Sequence, residues 1–210
     1  RSGVGCVNTA ITVAPTLEQL GIPVTIIPAA EVARADLSGF TTVVIGPRAY
    51  DAHPELLAAN PRLFDFARNG GTLVVQYGQY EMTRPGYMPY PITLARPHTR
   101  VTHEEAPVTI LDANAPALRA PNRITAADFD GWVQERSLYM PRTFDERYRP
   151  LLAMADPGED AKRGAILVAP LGRGRYVYTS LAFFRQLPAG NPGAARLFIN
   201  LLGAGTSLRP

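Results

Sequence analysis

The sequence predicts an α/β domain built on a mostly parallel sheet with helices on both faces and an added β-hairpin region. Three observations lead there. Short apolar strands alternate with short helices through the first 77 residues, the order that gives parallel sheets. The strands are nearly all apolar, as strands covered on both faces are. A tight turn, "LGRGR", joins two β-rich runs late in the chain, which is a hairpin signal.

Each element follows from local chemistry. "GVGCVN" (3–8) reads as the first strand. "APTLEQLG" (14–21) reads as a short helix closed by Gly21, a C-terminal stop. "PVTIIP" (23–28) is β-branched and bounded by prolines, a second strand. "AAEVARADL" (29–37) is a short helical turn region, and "TTVVIG" (41–46) a third strand. "NPRLFDFARNGG" (60–71) predicts a helix capped by Asn60, with Pro61 at its first position and Gly70–Gly71 as its end. "TLVVQY" (72–77) is the fourth strand.

The second half is less periodic. Residues 78–105 read as a long loop rich in Pro, Tyr and Arg, of the kind that is functional or disordered. Strands are expected over 107–112, 150–156, 164–172 and 174–181, and a helical turn plus a strand within 122–141. "NPGAARLFINLLG" (191–203) predicts a closing helix with Asn191 as cap and Gly203 as stop. No internal repeat or linker divides the chain, so residues 1–210 read as one domain.

Composition narrows the function. Twenty arginines stand against one lysine, Lys162, for a net charge of +3. They are spread among acids, as in proteins of high-GC genomes, without the basic clusters and interleaved aromatics of a nucleic-acid binder. No apolar run approaches the roughly 20 residues of a membrane span. The start, "RSGVGCVNTA", has no Met and no signal-peptide pattern. The chain therefore reads as a fragment of a longer protein, whose compartment is open. An upstream signal would send it to the periplasm or out of the cell. Cys6 is alone in the first strand, which leaves no internal disulfide and no cysteine metal site.

In parallel α/β sheets, ligands bind beyond the carboxyl ends of the strands. That selects "NTAIT" (8–12), "GPRAYDAHPEL" (46–56) and "QYGQYEM" (76–82). The last holds no Ser or Cys where a nucleophile elbow would stand. Ser180 is a lone serine after a strand, "GRGR" (172–175) has a hairpin context unlike a phosphate loop, and His53, His98 and His103 form no metal-ligand spacing. No cofactor and no metal are expected. Arg48, Tyr50 and Asp51 are delivered to the crevice by the third strand, and Gln76 and Tyr77 by the fourth. In "DFDGWVQERSLY" (128–139), Trp132 and Arg136 sit among Asp and Gln. Planar hydrogen-bonding groups beside an aromatic ring are what carbohydrate recognition uses. Two readings stay open there: Trp132 as a sugar platform or a core anchor, and Arg136 as a ligand contact or a loop partner of Asp130.

"VVIGPRAYDAHPELLAANPRLFDFARNGGTLVVQY", "PNRITAADFDGWVQERSLYMP" and "YVYTSLAFFRQLPAGNPGAARLFINLL" resemble the C-terminal region of large bacterial PIG-L (LmbE-like) deacetylase family proteins. That region is similar to class I glutamine amidotransferase domains and to ThuA-like domains. The resemblance covers most of the chain and implies a flavodoxin-like fold. The deacetylase half of that family carries a His-Pro-Asp-Asp zinc motif, absent here, and true amidotransferases carry an elbow Cys and a late His-x-Glu, also absent. "HPE" (53–55) echoes the latter but follows the third strand instead of a late one. The resemblance implies a non-catalytic accessory domain of a sugar deacetylase. It would bind a glycan or other small ligand through Arg48, Tyr50, Asp51, Gln76, Tyr77, Trp132 and Arg136, with the deacetylase domain of the same parent chain as partner. Two alternatives accompany it. One is a hydrolase activating water through Asp51, His53 or Glu81. The other is a structural domain that meets its partner through Tyr80, Tyr87, Met88 and Tyr90.

Overall fold

A computed structural model describes residues 3–7 and 13–203; the segment 8–12, one of the three expected crevice loops, lies outside the described residues. The chain runs β1 (Val4–Val7), α1 (Ala14–Gln19), β2 (Val24–Ile26), β3 (Thr42–Ile45), α2 (Ala49–Ala52), α3 (Leu56–Arg68) and β4 (Thr72–Gln76). It continues through β5 (Ile92–Thr93), β6 (Val108–Ile110), β7 (Thr143–Phe144), β8 (Arg149–Pro150), β9 (Leu152–Met154), β10 (Ile166–Leu171) and β11 (Gly174–Thr179) to α4 (Phe183–Gln186) and α5 (Pro192–Gly203).

Seven strands form one sheet in the order β2-β1-β3-β4-β11-β10-β8. The pairings from β2 to β11 are parallel, and β10 pairs antiparallel with both its neighbours. The fold is α/β and mostly parallel, as expected. The expected hairpin is present, and its second strand, β11, is inserted parallel to β4. Side chains alternate between two cores with the strand period of two. Cys6, Val44, Val74 and Val177 pack with Leu17 of α1 and Leu197, Phe198 and Leu201 of α5. Val7, Ile45, Val75, Tyr176 and Tyr178 pack with Leu56, Leu63 and Phe64 of α3. No helix among the described residues is long and apolar enough to cross a membrane.

The caps explain the helix ends. Gly21, at φ +75°, closes α1: its N–H donates to the Glu18 carbonyl and the N–H of Ile22 to the Leu17 carbonyl, a Schellman motif that needs the left-handed region. Asn191 caps α5, its Oδ1 accepting the N–H of Ala194 at 2.9 Å. Asn60 is a correction. α3 begins at Leu56, and Pro61 lies inside it. α2 ends at His53, which leaves the helical region at φ −134°, and a new turn begins over 54–55, with Leu56, Leu57 and Ala58 donating to the carbonyls of His53, Pro54 and Glu55. The helix has therefore started before Pro61, whose missing N–H forgoes only one ladder bond. The Asn60 side chain is buried. It accepts from the Tyr50 hydroxyl at 2.6 Å and donates to the Gly86 carbonyl at 2.8 Å.

The second half also differs from expectation. Residues 78–105 are packed on the domain: a 3-10 turn spans Tyr80–Thr83, β5 pairs with β7, and Tyr87 and Met88 are buried in the α3-side core. Those two residues are thus not a surface for a partner. The stretch 150–156 splits, β8 joining the main sheet and β9 pairing with β6. Within 122–141 there is a 3-10 turn at Ala126–Phe129 but no strand, only bridges from Ser137 to Val101 and Leu181.

Cys6 is 1% exposed, and burial, with Glu18 adding to it, pushes its thiol up to about 12. Since the thiolate is the reactive form, a maleimide is expected to label native protein far more slowly than denatured protein, and Cys6→Ala to cost about 1 kcal/mol. Equal labelling rates would show that β1 is not packed as described.

Candidate functional site

The parallel register Ile45↔Val75 sets the loop after β3 beside the end of β4. There the N–H of Arg48 donates to the Tyr77 carbonyl at 2.7 Å. Arg48 has φ 56° and precedes α2, and its Nη2 bonds the Asp51 carboxylate at 2.6 Å. On the other side of β4, Gln76 is level with Thr179 of β11. The chain leaving β11 is tied to a segment from far earlier: Leu138 N–H donates to the Ser180 carbonyl, Ala182 N–H to the Arg136 carbonyl, and the hydroxyls of Ser137 and Ser180 meet at 2.8 Å. A third segment joins through Val101 N–H to the Ser137 carbonyl and Met140 N–H to the Thr99 carbonyl. Three loops are thereby stacked at the carboxyl end of the sheet.

They deliver a cluster of rings and charges around Tyr77. Tyr139 lies parallel to Tyr77, 6.2 Å between centroids, and His98 stacks on Tyr139 at 3.8 Å. Phe184 lies 5.7 Å from Tyr77, and Tyr80 meets Tyr139 edge-on with the Arg96 guanidinium over its face. Gln79 donates to the Tyr139 hydroxyl at 3.0 Å, and Arg185 pairs with Glu135 at 2.9 Å. Burial raises the Tyr77 phenol, Arg48 and Arg185 draw it back, and Glu135 and Tyr139 push it up. His98 is lowered, first by burial and then by Arg100, against Glu135, which favours the neutral imidazole. Among the described non-glycine residues, positive φ occurs at Arg48, Gln134 and Tyr139. Such backbone costs on the order of 1 kcal/mol per residue and collects at binding sites. Here the inter-loop hydrogen bonds hold it.

Of the residues expected from sequence, Arg48, Asp51 and Tyr77 come together here. Tyr50 does not: α2 turns it inward, where it is buried and bonded to Asn60. Gln76 and Tyr77 diverge, because successive strand residues face opposite sides. Tyr77 joins the α3-side core, while Gln76 leaves β4 on the same side as Val74. Gln76 is 2% exposed, and neither its Nε2 nor its Oε1 has a hydrogen-bond partner among the described residues. Trp132 and Arg136 belong to the α5-side core region. Trp132 is 2% exposed and donates to the Asp128 carbonyl; Arg136 is 4% exposed and donates to the carbonyls of Ala106 and Phe129. Both are spent on holding loops, so the core-anchor reading applies to the Trp and a loop-holding one to the Arg, with backbone carbonyls replacing Asp130. Tyr139, His98, Glu135, Phe184 and Arg185 were not anticipated. Within 135–139, Arg136 turns to the core while Glu135 and Tyr139 reach the ring cluster around Tyr77.

The proposed acids and base each have a partner of their own. Asp51 is bonded to Arg48, His53 contacts Glu55 at 3.3 Å, and Glu81 accepts the N–H of Gln79. Gly78 has no space for a side chain, since a Cβ there would lie 2.5 Å from Met82 Cγ. Among the described residues no three His, Cys, Asp or Glu side chains converge as a metal site requires.

The chain matches no protein-family model and no curated protein in sequence. Solved structures do match it. A GMP synthase subunit protein from Thermoplasma acidophilum is similar at TM-score 0.60 and 11% identity, over 97% of this chain and 93% of that one. A ThuA-like protein of Bacteroides uniformis is similar at 0.58 and 10%, over 97% and 89%. The fold is that of the class I glutamine amidotransferases and ThuA-like proteins. It is also flavodoxin-like, as the sequence resemblance implied. The β-galactosidase of Rahnella sp. R3 is similar at 0.54 and 16% over 96% of this chain; the chain spans about a third, 31%, of that enzyme's length. Identities this low establish the fold alone.

A buried amide without partners destabilises by roughly 1 to 3 kcal/mol. Gln76→Met is therefore expected to raise the urea midpoint, by about 1 kcal/mol of stability. A fall in the midpoint would show that the amide is bonded in the folded protein.

Proposed function

We propose that this chain is a non-catalytic accessory domain that binds a glycan or glycoconjugate at the carboxyl ends of β3 and β4, in the service of a PIG-L-type sugar deacetylase. The observation that carries the reading is the pairing of half-buried rings, Tyr139 and His98 beside Tyr77, with the planar ionic groups of Arg48, Asp51, Glu135 and Arg185 at a strand end that carries no Ser or Cys. An aromatic face accommodates the C–H face of a sugar, and few but well-placed polar groups orient its hydroxyls. Catalysis has less support: Gln76 and Gly78 carry no nucleophile, burial disfavours the nucleophilic phenolate of Tyr77, and Asp51, His53 and Glu81 each have a separate partner. The deacetylase context rests on the sequence stretches quoted above. An accessory role is further supported by the β-galactosidase neighbour, in which this fold is one part of a longer carbohydrate-active chain.

A glycan array followed by calorimetry tests the reading. A sugar is expected to bind, and Tyr139→Ala and Arg48→Ala are each expected to weaken it about tenfold, the loss of about 1.4 kcal/mol. Absence of binding at millimolar sugar, or unchanged affinity in both variants, would overturn it.

A further inference from the structure

At the opposite end of the sheet, on the α5 side, β8, β10 and β11 frame a cavity of about 360 Å³. Its floor is Leu151, Val168 and Pro170, and one wall is the turn Ala115–Ala117. Three guanidiniums stand around it: Arg147, Arg149 and Arg175. Two are already answered by carboxylates. Arg147 forms a two-pronged pair with Asp145, both contacts 2.7 Å, and lies over the Tyr90 ring. Arg149 meets Asp112 at 2.6 Å, an ion contact whose angle is off that of a hydrogen bond.

Arg175 differs. It is half-buried, no carboxylate pairs with it among the described residues, and its Nε is buried without a hydrogen-bond partner. Its register on β11 sets it against Pro170 of β10 and Thr72 of β4, so the strand ladder fixes it there. Burial disfavours its charged form, and no carboxylate among the described residues offsets that cost. An uncompensated, partly desolvated guanidinium beside an apolar floor is the complement of an anion with an apolar body. Cavities of this size hold small ligands. The lining offers no aromatic platform for a base or a sugar ring.

We infer that this cavity binds a small organic acid, its carboxylate taken by Arg175 with Arg149 at the rim, and its branched or aromatic body seated over Val168 and Pro170. The site is independent of the crevice at the other end of the sheet, so the fate of either reading leaves the other standing.

Calorimetry on the 210-residue chain with phenylacetate and isovalerate tests it. Methyl phenylacetate serves as body without charge, and acetate and inorganic phosphate as charge without body. At least one of the two acids is expected to bind at millimolar concentration or below, and all three controls at least about tenfold more weakly. Arg175→Gln is expected to weaken acid binding by about tenfold or more, with a thermal melt confirming the fold. Val168→Phe keeps every charge and fills the floor. It should abolish binding as well, and it decides the matter if Arg175→Gln does not fold. Failure of both acids to bind, binding of the ester or of phosphate equal to that of the acid, or undiminished binding in a folded Val168→Phe protein would overturn the inference.

Discussion

The parallel ladder between β4 and β11 joins residues 72–76 to residues 175–179, which are far apart in the chain, and both ends of the molecule are organised by it. Val74 and Val177 face one core, and Leu73, Val75, Tyr176 and Tyr178 the other, all fully buried. Contacts of such sequence separation are entropically costly to close. What offsets the cost is burial of apolar surface on two faces, at roughly 25 cal/mol per Å². At its upper end the ladder fixes where Ser180 to Ala182 emerge, and those residues hold the loop that carries Glu135 and Tyr139. At its lower end it fixes Arg175 over the cavity floored by Val168 and Pro170.

The polar groups of the domain divide by what satisfies them. Arg136 and Trp132 are buried and answered by backbone carbonyls, so their bonds hold the loops in place. Arg48, Asp51, Glu135 and Arg185 form partly exposed pairs, which contribute little stability and remain free to rearrange around a ligand. Arg175 and Gln76 retain buried atoms without partners. Native proteins seldom leave such groups unsatisfied, and the proposed organic-acid site gives the first of them a purpose. For Gln76 the described residues offer no physical account.

Much of the first half was legible because its signals are local. The Schellman glycine Gly21, the β-branched run bounded by prolines and the Asn191 cap each act within a few residues. The start of α3 was missed because Pro61 resembles a first-turn proline, while the turns that begin the helix at Leu56 come from the preceding residues 53–55. The hairpin was visible, but its insertion beside β4 was not, since no local pattern encodes a parallel partner. The same holds for the crevice. Arg48 and Tyr77 could be read from strand ends, whereas Tyr139 and His98 reach them through bridges among Val101, Ser137 and Leu181. Trp132 and Arg136 were drawn to attention by their chemistry, and the carbonyls that satisfy them come from elements the sequence does not place beside them.

The most direct test of the central claim is a proton NMR titration with the glycan selected on the array, following the ring resonances of Tyr77, Tyr139 and His98 together with the Trp132 indole N–H. A glycan bound at the strand ends should shift the three rings at one common saturation point and leave the buried indole unmoved. Saturable shifts at Trp132 with Tyr139 and His98 unchanged would contradict the account.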